Sequence, residues 1–84
     1  MTLKTQPVQV ATGSSDHESR LVFEDGLLVA VLVQLSTDHA SDAGKWFLEA
    51  GFGRADDPHA PVFDNLDDAL AWIARQLARD VVQI

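Results

Sequence analysis

The chain has 84 residues, 46% of them hydrophobic, and its 13 Asp and Glu against 6 Lys and Arg give a formal charge of −7. That length allows one domain, and the apolar content is that of a folded chain rather than a disordered acidic tail. The negative balance excludes phosphate-backbone binding, which needs clustered cations, and zero cysteines exclude a disulfide framework, a thiol nucleophile and a Cys-type zinc site.

Residues 1–19 contain Lys4, Asp16 and Glu18 and no continuous apolar segment, so they do not read as a secretory signal. The longest apolar run is Leu27 to Val33, far short of the roughly 20 residues that cross a bilayer. No membrane association is expected, and the cytoplasm is the expected location. Val8 and Val10 alternate with Gln9, a short strand signal. Pro7 cannot donate to a ladder, so a strand here begins after it or lies at a sheet edge. The segment reads as an edge strand or an arm, the alternative being that it folds across a sheet face. A polar loop punctuated by Gly13 follows.

The strongest local signal lies between residues 20 and 36. Two apolar runs, 20–24 and 27–35, flank Asp25-Gly26, which suits a two-residue type I′ turn because both positions need positive φ. The turn sets Glu24 opposite Leu27, Phe23 opposite Leu28 and Val22 opposite Val29. One face then carries Leu21, Phe23, Leu28, Ala30 and Leu32. The other carries Val22, Leu27, Val29, Val31, Val33 and Leu35. Both are apolar, whereas a two-layer domain normally leaves one sheet face polar.

After a polar loop over 36–44, residues 45–52 alternate. Trp46, Leu48, Ala50 and Phe52 point one way, and Phe47 and Glu49 the other. This predicts a third antiparallel strand, with Trp46 and Phe52 in the core. Pro58 and Pro61 then stop any strand. A helix over 65–80 closes the domain. Asn65 is its N-cap, Asp67 and Asp68 suit the positive end of the dipole, and Arg75 and Arg79 lie near the negative end. Leu66, Leu70, Ile73 and Leu77, widened by Ala69, form the buried stripe, with Trp72 on its flank. Val81, Val82 and Ile84 form a short strand or a tail.

The reading is one α+β domain over 1–84: an antiparallel meander of three to four strands over 20–53, with one C-terminal amphipathic helix packed on one face. One helix covers one face. The apolar face left uncovered, with the valine row or the Phe23 row, marks an interface. A homodimer through Val22, Leu27, Val29, Val31, Val33 and Leu35 is the expected way to cover it.

Chemistry-bearing patterns are sparse. His17, His39 and His59 each have an acid nearby, and His39 and Asp42 lie three apart. No HExxH, facial-triad spacing or calcium loop occurs, so no metal site is expected and the histidines read as solvated loop residues. The loop serines lack a nucleophile elbow. Gly51-Phe52-Gly53 lacks a following helix, so it reads as a bend or bulge rather than a phosphate cradle. No catalytic residue and no cofactor is expected, and the chain does not read as an enzyme.

Asp56, Asp57, Asp64, Asp67 and Asp68 crowd one stretch, opposed by Arg54 alone. The plain reading is helix capping; the functional one is docking to a basic protein partner. The spacing Phe63-x-x-Leu66-x-x-Ala69-Leu70-x-x-Ile73 resembles the strand-to-helix step of HicB-type antitoxins over roughly a quarter of the chain. It departs from that family in lacking a Pro/Gly/Cys segment before the helix and any DNA-binding appendage.

Three functions follow. The first is an acidic interaction or assembly domain that homodimerises through its sheet. The second is an antitoxin-like or regulatory module that covers a basic partner. The third is a small-molecule binder or enzyme whose pocket forms at the subunit seam.

Overall fold

The computed structural model describes residues 2–11 and 18–78, with the backbone alone at 38 and 39. Val81, Val82 and Ile84 lie outside the described residues. Four strands, β1 (Leu3–Val8), β2 (Ser19–Glu24), β3 (Leu27–Gln34) and β4 (Trp46–Gly51), form one antiparallel sheet in sequence order. One helix, α1 (Leu66–Ala78), follows. The expected α+β meander with a C-terminal helix is the observed fold, and the N-terminal segment supplies its fourth strand. Two 3₁₀ turns, Thr37–Asp42 and Gly53–Ala55, lie in what reads as plain loop. Among the described residues no helix is long and apolar enough to cross a membrane.

The β2–β3 hairpin turns as its sequence dictates. Asp25 and Gly26 have φ of 52° and 83°, both positive as a type I′ turn requires. Glu24 pairs with Leu27 and Phe23 with Leu28, as expected. Val22, however, pairs with Ala30 rather than Val29, because a bulge at Val29 adds one residue to β3. A one-residue slip exchanges faces. Val22, Ala30 and Leu32 therefore share one face, while Phe23 and Leu28 share the other with Val31 and Val33. A second bulge, at Glu49, does the same to β4: Leu48 pairs with Leu32, and Ala50 with Val31.

The helix covers the Val22–Leu32–Leu48 face. Asn65 caps α1: its Oδ1 accepts the Asp68 N–H at 2.8 Å, and its side-chain amide faces the Asp68 carboxylate at 3.4 Å. The apolar stripe brings Ala69 and Ile73, fully buried, against Val22, Ala30, Leu32, Trp46 and Leu48, with Leu66, Leu70, Trp72 and Leu77 packed around them. Complete burial of Leu32 and Ile73 contributes about 1.5–3 kcal/mol each. Phe63 enters the same core and stands 5.6 Å from the Trp72 ring. Phe52 does not. It follows the β4 bulge and is 48% exposed, which corrects its expected place in the core.

Gly51 has a packing role instead. A β-carbon at 51 would strike the Ala55 carbonyl and lie 2.9 Å from the Asp56 nitrogen. The close approach seats Ala55, fully buried, under the sheet.

The ladder also fixes which backbone groups look outward. The Gln34 N–H donates to the Glu18 carbonyl at 2.7 Å, so even-numbered positions of β2 address β3. Ser19, Leu21 and Phe23 then address β1, where Val8, Gln6 and Lys4 receive them. Leu3, Thr5 and Pro7 turn their backbone groups away from the sheet. Pro7 thus lies within a strand, not before one, and its missing N–H costs no ladder bond. At the other edge Trp46 exchanges two 2.8 Å bonds with Phe63. Antiparallel continuation would set Pro61 opposite Leu48, where it has no N–H to give, and the bridge stays a single pair.

Candidate functional site

The face opposite the helix is built from three cross-strand rows. Lys4, Phe23 and Leu28 form the row at the hairpin end. Gln6, Leu21, Val31 and Ala50 form the middle row, and Val8, Ser19, Val33 and Phe47 the far one. Apolar side chains run unbroken through it. Leu28 is 36% exposed and Phe47 41%, with Leu21, Phe23 and Val31 half-buried between them. Ser19 and Val33 are buried, so the far row is already covered at its centre.

This arrangement divides the expected row of interface residues between the two faces and the strand ends. Val22 and Val29 are buried in the helix-side core. Leu27 is 71% exposed but sits at the hairpin tip opposite Glu24. Leu35 lies beyond β3, where its N–H donates to the Lys45 carbonyl at 2.8 Å. Val33 keeps its face but is buried, and Val31 alone is both on the open face and part-exposed. The bulge at Val29 is the cause. The sequence grouped Leu21, Phe23 and Leu28 on one face and left open which face stays uncovered; with no polar residue in Leu27–Val33, the alternation could not show the slip that adds Val31 and Val33 to that group.

Charge on this face is sparse. Among the described residues the rows include one cation, Lys4, and no carboxylate, with Glu49 at the bulge beside them. The acids lie around the helix start, and several have structural partners. The Asp57 Oδ1 accepts the His59 N–H at 2.8 Å, and Asp68 belongs to the helix cap. Asp64 is 3.6 Å from Lys45, which also meets Asp42 at 3.4 Å. Asp56 and Asp67 are exposed. A shallow hollow of about 230 Å³ beside β4 is bordered by Asp56 and Asp57 and not by the other three.

The histidines are not brought together by the described residues. His59 is exposed, and His17 and the side chain of His39 lie outside them. No group of three or more His, Asp or Glu side chains able to hold a metal occurs among the described residues. A larger hollow of about 700 Å³, half open to solvent, lies at the hairpin end between Lys4, Phe23 and Asp25. It adjoins the apolar rows.

No family model, curated protein or solved structure matches the chain.

Proposed function

We propose that this chain is a small assembly domain that homodimerises by stacking the open faces of two sheets. The observation that carries this reading is the apolar surface running from Leu28 through Val31 to Phe47, on the side of the sheet that α1 does not cover. A second copy is the favoured occupant on charge grounds. Two chains of charge −7 repel, and they approach with least penalty through the face that holds none of their clustered acids. The shape suits such a pairing, since flat antiparallel sheets stack about 10 Å apart with interdigitating side chains.

The area sets the expected strength. Four strands about 4.8 Å apart and about six residues long give a flat footprint of roughly 400 Å². Stable interfaces cover about 800 Å² per partner, so the dimer is a weak, concentration-dependent one.

Phe47→Asp tests the reading. Phe47 is part-exposed in the single chain, so the variant keeps its fold, but the charge would be buried unpaired in the seam. Association should weaken by more than about tenfold. Val31→Asp should act in the same direction from the centre of the face. A folded Phe47→Asp variant that associates as the natural chain does would remove this face from the reading.

A further inference from the structure

We infer that Pro7 is an edge stop: it closes β1, the outer strand of the sheet, to strand-by-strand pairing with a second copy. β1 is the long unguarded edge, six residues of which four are exposed, and a row of this kind templates edge-to-edge association. Its outward backbone groups belong to Leu3, Thr5 and Pro7, as the ladder parity requires.

Two copies meeting at this edge about a two-fold axis would pair antiparallel. Centred on Thr5, the facing pairs would be Leu3 with the partner's Pro7, Thr5 with the partner's Thr5, and Pro7 with the partner's Leu3. Each pair exchanges two backbone hydrogen bonds. Both bonds that need an N–H from residue 7 are missing, one at each end of the seam. The pyrrolidine ring of each copy instead faces a Leu3 carbonyl, which is left without a donor. A register one step over, with Leu3 opposite the partner's Thr5, leaves residue 7 out of the seam but pairs only Leu3 and Thr5 of each copy, so Pro7 confines edge pairing to this shorter four-bond seam. Because Pro7 is outward, the stop leaves the chain's own ladder complete.

The consequence joins the proposed face dimer, on which only this step rests. A second, edge-to-edge contact added to a face-to-face one gives two independent isologous interfaces, and copies then link beyond a pair, into a closed tetramer where the two axes cross at right angles and into an open chain where they do not. Pro7 keeps the assembly at a pair.

The test compares Pro7→Val and Pro7→Ala with the natural chain by sedimentation velocity over one concentration series, with circular dichroism as the check on folding. Either variant restores the outward N–H; valine adds strand preference. Pro7→Val should show a mean mass at least about twofold above the natural chain's and rising with concentration, and Pro7→Ala a smaller shift the same way. A natural chain that stays monomeric while Pro7→Val dimerises keeps the edge stop and removes the face dimer. Folded variants with the natural chain's mass throughout would overturn the edge stop. Loss of fold in both variants would overturn the outward placement of residue 7.

Discussion

Trp46 and Phe63 exchange two backbone hydrogen bonds of 2.8 Å each, and both side chains are buried in the same core. This pair fastens the segment before α1 to the outer edge of β4. It places Phe63 against Trp72 and so sets where the helix lies across the sheet. Arg20, 5.4 Å over the Trp46 ring, closes the same cluster from β2. Phe63→Ala keeps the backbone bonds and removes the ring. It should lower unfolding free energy by about 3–5 kcal/mol, measured by urea denaturation.

Gly51 and Ala55 make a second close junction under the sheet. Gly51→Ala places a methyl group against the Ala55 carbonyl, and neither backbone segment can yield without moving buried Ala55. The variant should lose about 1–3 kcal/mol in the same assay. Unchanged stability would mean that the 3₁₀ turn at Gly53–Ala55 moves freely.

The Ser19 hydroxyl is fully buried between Val8 and Val33 and has no hydrogen-bond partner among the described residues. A hydroxyl buried without a partner costs about 1–3 kcal/mol. Ser19→Ala should therefore be as stable as the natural chain or more so, by up to about 1 kcal/mol. A clear loss of stability would show that the hydroxyl makes a bond in solution.

The parity of β1 predicts opposite fates for neighbouring positions. Thr5 turns its N–H outward, whereas Gln6 gives its N–H to the β2 ladder. Gln6→Pro should cost about 1–3 kcal/mol more than Thr5→Pro, since it alone removes a ladder bond. Thermal denaturation of the two variants decides it, and equal losses would contradict the register.

The parts legible in the sequence are those with local chemical punctuation. Asp25-Gly26 fixed the hairpin turn, Asn65 with Asp68 fixed the helix start, and the Leu66–Leu77 stripe fixed the buried side of α1. The two bulges had no such mark. Leu27 to Val33 is apolar throughout, so a one-residue insertion at Val29 changes no polar position and the pattern cannot show it. Around Glu49 the alternation pointed the wrong way, sending Phe52 to the core while Gly51 takes the close approach. The candidate surface follows the same division. An uncovered apolar face was readable from one helix against one sheet, whereas its membership was not, because the bulge sends Val31 and Val33 to the Phe23 side while Val22 and Val29 stay together in the helix-side core. Pro7 was legible as an edge residue, though it sits inside the strand rather than ahead of it.

Sedimentation equilibrium of the natural chain tests the central claim most directly. With a chain mass of 9.1 kDa, the face dimer predicts a weight-average mass that rises through the micromolar range toward about twice that value. A mass of one chain at every concentration in that range would contradict it.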